Sequence, residues 1–146
     1  MDVVDPQTRS RMMSGIRSKD TKPEMVIRRG LHSRGFRYRL HSKDLAGKPD
    51  LVFPRYRAVV FVNGCFWHGH DCHLFKMPSS RPDFWRAKIE GNRSNDLKVR
   101  TALKSCGWRI STVWECAIRT HKDRPEILID ALTSWITSTD DQMELR

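Results

Sequence analysis

Two periods of hydrophobic and polar positions alternate along this chain, and the switches between them predict its elements. Phe36-Arg-Tyr-Arg-Leu40 alternates with period two and predicts a half-buried strand. Asp50 to Phe53 and Arg57 to Asn63 are β-branched and apolar enough for two more, joined by a short turn at Pro54, Arg55 and Tyr56. Three sequential strands with a tight turn predict an antiparallel meander. Before them, Thr21-Lys-Pro-Glu24 has the spacing of a capping box with Pro23 in the first turn, and it leads into Met25, Val26 and Leu31. A helix from about 22 to 34 follows, weakened by Gly30 and Gly35. Upstream, Arg9 to Ser18 sets Met12, Met13 and Ile16 among basic residues and predicts a short amphipathic basic helix. Arg81-Pro-Asp83 opens a long helix to about Ser105, stopped by Gly107, after which Trp108 to Trp114 reads as a strand and Pro125 to Ile136 as a final helix. The expected architecture is α/β, a mixed sheet flanked by helices, in one domain over residues 1–137. Residues 1–20 form a basic segment suited to DNA contact, and the acidic stretch 138–146 is expected to fray.

The chain has 146 residues and a formal net charge of +10. Its distribution says more than its total. Residues 1–60 carry fourteen Lys/Arg against six Asp/Glu, residues 61–124 twelve against six, and residues 125–146 one against five. A basic field over the first 124 residues attracts polyanions through counterion release and points to nucleic acid without choosing DNA or RNA. The apolar run Ala58 to Val62 is far short of the roughly 20 residues of a membrane span, so a soluble, cytoplasmic protein with no membrane partner is expected. No coiled coil or second basic domain suggests pairing, which leaves a monomer as the expectation.

Cys65, Cys72, Cys106 and Cys116 could pair as disulfides, but nothing in the chain suggests export. In a reducing compartment, thiols close to histidines read as metal ligands. Cys65, His68, His70, Cys72 and His73 fall within nine residues. Cys65, His70 and Cys72 would supply three of zinc's four tetrahedral ligands from one loop, and Cys116 a fourth from beyond the strand ending near Trp114. Spacing alone leaves the histidine open, because His68 and His73 are also placed to bind. Cys106, beside Gly107 at a helix end, reads as a small buried or surface thiol.

Asp50 stands at the start of a hydrophobic strand, and the next strand ends at Phe61, Val62 and Asn63. A carboxylate beside a backbone carbonyl suits a hard cation such as Mg²⁺, which neutralises phosphate charge and activates water in phosphodiester cleavage. His68 could be a general base near neutral pH or a zinc ligand.

Thr8-Arg-Ser-Arg-Met-Met13, Gly47-Lys-Pro-Asp50, Phe61-Val-Asn-Gly-Cys-Phe-Trp-His-Gly-His-Asp-Cys72, Phe84-Trp85, Gly107-Trp-Arg109 and Val113-Trp-Glu-Cys116 together resemble the very short patch repair endonucleases, in order over residues 5 to 137. The resemblance implies a restriction-endonuclease-like core, a structural zinc, and Mg²⁺-dependent nicking 5′ to the thymine of a T·G mismatch left by 5-methylcytosine deamination. Mismatch-repair proteins and a DNA polymerase would act downstream. Carried over by position, it makes Asp50 and the Val62 carbonyl the Mg²⁺ ligands and His68 the histidine at the scissile phosphate. It leaves zinc to Cys65, His70, Cys72 and Cys116, and aligns Glu24 and Asp96 with further acidic positions, Asp96 as the partner that orients His68. Asn63 stands where some members carry a second active-site histidine; an asparagine can hydrogen-bond a phosphate oxygen but cannot take up a proton at neutral pH. Phe66, Trp67 and Trp85 resemble the aromatic wedge that enters the base stack from the major groove, and Met13 the residue that enters from the minor groove.

Core packing is the competing account of the aromatics, and a capping box that of Glu24. A zinc-stapled DNA-binding module would fit the charge, the aromatics and the cysteines, but would leave Asp50 and His68 without a role. An enzyme cutting both strands and a glycosylase removing the thymine would suit the basic charge as well.

Overall fold

Five strands share one sheet in the order β1-β2-β3-β4-β5 in the computed structural model, which describes residues 20–146. The basic segment Arg9 to Ser18, with Met13, lies outside the described residues. Helix α1 (Lys22–Ser33) precedes β1 (Arg39–Leu40), β2 (Leu51–Phe53) and β3 (Ala58–Asn63), and a 3₁₀ turn over Pro54–Tyr56 joins the last two. These three strands pair antiparallel, Leu40 with Leu51 and Val52 with Val59, which is the meander expected from the alternation. Helix α2 (Pro82–Ser105) then crosses over to β4 (Arg109–Trp114), which lies parallel to β3 with Val62 opposite Val113. A short helix α3 (Glu115–Thr120), helix α4 (Glu126–Ile136) and strand β5 (Gln142–Leu145) complete the chain.

Alternation along the strands sorts the core into two layers. Leu51, Phe53, Ala58, Val60 and Val113 face Ile27 and Leu31 of α1 and Leu128, Leu132 and Trp135 of α4. Val52, Val59 and Ile110, one residue out of step, face Leu103 and Val99 of α2. Gly30 interrupts helix propensity in α1 for a packing reason: a Cβ there would lie 2.4 Å from the Ile129 side chain, so its absence lets α1 and α4 approach.

Two expectations need correction, and one element was not expected. The acidic segment 138–146 is not frayed along its length, because Gln142–Leu145 adds to the sheet as β5, parallel to β4. Met143 and Leu145 turn toward the core, and Trp114 Nε1 donates to Glu144 Oε1 at 2.5 Å. The first strand covers only Arg39–Leu40, since Phe36 and Tyr38 use their rings to pack on Phe53 and do not join the ladder. Helix α3 has no counterpart among the predicted elements; under two turns long, it offers too few positions for a period to show.

Candidate active site and metal centre

Antiparallel pairing puts the start of β2 beside the end of β3, and a cleft of about 450 Å³ opens there. Asp50, Val62, Asn63, His68 and Asp96, all singled out from sequence, line it together with Lys43, Lys48 and His41. Asp50 Oδ2 accepts the Val62 N–H at 2.7 Å. Because the N–H and C=O of a strand residue point to the same edge, the Val62 carbonyl also faces the Asp50 side, where β2 has not yet begun. The turn that delivers Asp50 depends on Gly47, which has φ +75° and lies so close to α2 that a Cβ would meet Val99 at 2.4 Å.

His68 reaches the cleft from the loop after β3, and Asp96 from the buried side of α2. Their bond, His68 Nδ1 to Asp96 Oδ2, is 2.6 Å long. A carboxylate only accepts, so Nδ1 carries the hydrogen and the lone pair of the neutral ring is left on Nε2. Asn92 of α2 fastens the same loop by donating to the Trp67 carbonyl at 2.8 Å.

Glu24 does not line the cleft; it lies behind it, 1% exposed. Thr21 Oγ1 accepts the Glu24 N–H at 3.3 Å, which is half of the expected capping box, but the Glu24 carboxylate bonds elsewhere. It accepts from the Asp20 N–H, from Arg28 Nη1 at 3.2 Å, and from His41 Nε2 at 3.0 and 2.9 Å. Burial, with Glu24 close by, pushes the Asp50 carboxyl up to about 7 against the lowering influence of the Val62 N–H and His41. His41 has no signature in the sequence. A lone histidine between Leu40 and Ser42 carries no motif, and its significance comes from the strand pairing that sets it opposite Asp50, where its N–H reaches the Asp50 carbonyl at 3.1 Å.

Cys65, His70, Cys72 and Cys116 form a second constellation, with one ligand atom of each within 4.8 Å of the others. Cys116 is carried there by α3, which starts where β4 ends. The separation of His70 Nδ1 and Cys116 Sγ is 3.6 Å. Tetrahedral zinc with bonds of about 2.3 Å to sulfur and about 2.05 Å to nitrogen would set two such atoms about 3.6 Å apart. The set therefore fits a closed tetrahedral site. Burial raises both buried thiols, Cys65 to about 12, so they stay protonated until a cation displaces the hydrogens. His68 is committed to Asp96 and His73 is exposed, whereas His70 lies with the three thiols and could supply a nitrogen ligand. Cys106 is exposed and apart.

Phe66, Trp67 and Trp85 belong to neither core layer. They are half-buried and pack on one another with centroids 5.2 to 5.8 Å apart, joined by Phe75 and by Phe84, which is 45% exposed under Arg81. Phe75 belongs to no sequence motif, and Phe84 draws notice only beside Trp85.

No helix among the described residues is long and apolar enough to cross a membrane. Comparison with known proteins adds names to this geometry. The family model described as DNA mismatch endonuclease Vsr matches residues 1–74. The type II nicking enzyme V.XorIIP of Xanthomonas oryzae pv. oryzae is 50% identical over 117 residues, covering 80% of this chain and 86% of that one. The DNA mismatch endonuclease Vsr of Escherichia coli is 42% identical over 136 residues, covering 92% and 87%. A type II nicking enzyme of Neisseria meningitidis, V.NmeAIP, is 44% identical over 118 residues, covering 81% and 84%.

Proposed function

The chain belongs to the DNA mismatch endonuclease Vsr family, and from that premise we propose that it nicks one strand of duplex DNA, Mg²⁺-dependently, 5′ to the thymine of a T·G mismatch. The observation that carries this reading is the cleft itself, in which a largely buried carboxylate just before β2 faces a carboxylate-bound histidine across a wall that bears two lysines.

Asp50 and the Val62 carbonyl would hold the Mg²⁺, a ligand set of hard oxygens to which substrate phosphate and water add. That ion supplies charge neutralisation at the phosphate and a more acidic water. His68, with Nδ1 engaged by Asp96, presents Nε2 to accept the proton of the attacking water, and Asp96 stabilises the resulting cation. Lys43 and Lys48 place positive charge on the wall that an anionic backbone would meet, and Asn63 can donate to a phosphate oxygen. Glu24 acts from behind, on Asp50. Zinc at Cys65, His70, Cys72 and Cys116 would be structural, since four protein ligands leave no open position.

The aromatic cluster supports the mismatch part of the reading. Flat rings outside the core can replace stacking lost at a mismatch, which unstacks more easily than a matched pair. Met13 would enter from the opposite groove. The product, a nicked strand, would pass to mismatch-repair proteins and a DNA polymerase, and the enzyme would act as a monomer in the cytoplasm.

The test uses end-labelled duplexes carrying T·G or T·A in varied flanking contexts, with Mg²⁺ or with chelator. Nicking of the thymine strand alone, in the T·G duplex alone and only with Mg²⁺, is expected. Cleavage of both strands, an abasic site, or a gel shift with no cut would each overturn the proposal.

A further inference from the structure

We propose that Lys48 is a catalytic residue of this cleft, its ammonium meeting the scissile phosphate and stabilising the charge that grows on it during cleavage. This rests on the reading of the cleft as the site of strand nicking. Hydrolysis forms a bond from the water oxygen to phosphorus and breaks one bond from phosphorus to an ester oxygen. The water's proton passes to Nε2 of His68, the leaving oxygen takes one from solvent, and Lys48 neither gives nor takes a proton. Negative charge rises on the phosphoryl oxygens meanwhile, and fixed positive charge aimed at them lowers the barrier. Among the described residues that line the cleft, the side chains able to carry such a charge are His41, Lys43, Lys48 and His68. His41 is bonded to Glu24 at 3.0 and 2.9 Å, and His68 to Asp96 at 2.6 Å. Asn63 carries no charge. Two lysines remain, and the main chain tells them apart.

Lys48 is the one whose backbone is fixed. It adopts φ +47°, uncommon for a residue other than glycine, directly after Gly47 at φ +75°. Its N–H closes the turn on the Leu45 carbonyl at 3.2 Å. On one side Gly47 lies against Val99 of α2; on the other Pro49 is fully buried, and the Asp50 carbonyl accepts the His41 N–H at 3.1 Å. A side chain in a left-handed turn between packed neighbours costs stability, and strain of this kind collects where a residue is held for function. The Lys48 side chain is exposed and makes no ion pair or hydrogen bond among the described residues, while Asp50 accepts from Val62 and Asp96 from His68. Two residues of chain span at most ~7 Å, so a phosphate bound at Asp50 lies within reach of lysine's four-carbon stem. Lys43 is also exposed, but neither its N–H nor its C=O makes a backbone bond among the described residues. It is suited to attract a strand and not to meet a developing charge at one position.

The experiment compares full-length parent and variants in single-turnover nicking of a T·G duplex at saturating protein and Mg²⁺, in duplex binding under chelator across a salt series, and in thermal unfolding. Lys48→Ala is expected to slow nicking about 100-fold or more, as loss of a group that stabilises transition-state charge does, with duplex affinity within about tenfold of the parent. Lys48→Arg keeps the charge and should nick within about tenfold of the parent. Lys43→Ala should nick within about threefold, and its log affinity should fall less steeply with log salt, by about one phosphate contact. Lys48→Gly separates the charge from the turn. It should be as slow as the alanine variant yet melt no lower than the parent, because glycine takes the left-handed turn without strain. If Lys48→Ala does not fold, the glycine variant carries the test. Nicking by either variant within about threefold of the parent overturns the role of Lys48 alone. So does a slow glycine variant that melts below the parent, a folded arginine variant as slow as alanine, or equal slowing by Lys43→Ala. A parent that leaves every duplex uncut overturns the reading of the cleft and this inference with it.

Discussion

Asp50→Asn should make the protein more stable at pH 8 while abolishing its activity. In the fold, Asp50 is largely buried beside Glu24, and its carboxyl titrates at about 7 where an exposed one titrates at 3.8. The folded state therefore holds a proton through the interval in which the unfolded chain has released it. Stability falls as pH rises whenever the folded state binds more protons. The contribution of this group is thus fully present below about pH 4, declines between about 4 and 7, and is lost above that range. A rise from 3.8 to about 7 corresponds to about 4 kcal/mol at about 1.4 kcal/mol per tenfold, the penalty for ionising Asp50 in place. Asparagine keeps the contacts without that penalty. Its carbonyl oxygen can accept the Val62 N–H.

The assay is thermal unfolding of parent and variant from pH 4.5 to 8.5 without added Mg²⁺. At pH 8 the variant should melt higher by up to roughly 16 °C, at about 2–4 °C per kcal/mol, and the difference should shrink as pH falls toward 4.5. Added Mg²⁺ should raise the parent's midpoint and leave the variant's unchanged, because binding to the folded state alone stabilises by mass action. A variant that melts lower than the parent at pH 8, or a difference independent of pH, would refute the account of Asp50 as a strained buried carboxylate. Residual Mg²⁺-dependent nicking would refute its role as ligand.

Cys116→Ser should lose zinc and stability together, by several kcal/mol, because the cation joins the loop after β3 to α3; elemental analysis beside a thermal melt checks it, and a folded, active parent without zinc would sink the site. Asp96→Asn should lower the nicking rate at neutral pH with mismatch affinity unchanged, since it removes the charge that fixes the His68 tautomer; equal rates in single-turnover assays would exclude the pairing from catalysis. Replacing both Phe66 and Trp67 by Ala should cost far less stability than the ~3–5 kcal/mol per buried core aromatic, yet reduce T·G over T·A discrimination by ~1–3 kcal/mol for each ring that no longer stacks on a base. An unchanged mismatch preference, or a collapse in melting temperature, would return them to a packing role.

Most of the sheet was legible because strands buried on both faces write themselves as short, nearly continuous β-branched and apolar runs, and β2, β3 and β4 fall within the predicted segments. The cysteine and histidine loop was legible as a group that could hold a metal because its thiols and imidazoles cluster in sequence, and the fold brings Cys116 to Cys65, His70 and Cys72. What stayed hidden depends on pairing across the fold. β5 is a four-residue edge strand whose only apolar positions are Met143 and Leu145, and the acidic residues before it masked that alternation. Glu24 matched a capping box well enough that its inward carboxylate had no separate signature. Gly30 read as a weakness in α1 because its reason, the Ile129 side chain, is almost a hundred residues away.

The spacing of His68 and His70 would couple a metal held by the cysteine and histidine cluster to the cleft. Two residues apart, they point to different sites, His68 to Asp96 and His70 to Cys116. Trp114 lies against both. Its ring stacks on His70 at 3.9 Å with planes 4° apart and meets His68 edge-on at 6.1 Å, while its N–H is held by Glu144 of β5. The turns of the loop bond the His68 N–H to the Gly64 carbonyl at 3.3 Å and the His70 N–H to the Cys65 carbonyl at 2.9 Å, and a general base must be held within about half an ångström of its working position. Fixing His70 in a four-ligand site, and clamping its ring on a tryptophan that the last strand of the sheet anchors, leaves His68 only the residue Gly69 and its own side chain in which to move. Asp96 restrains the side chain. A cation held by these four ligands would be structural in its coordination, and its effect on the reaction would be exerted through the short stretch of chain that separates it from the histidine in the cleft.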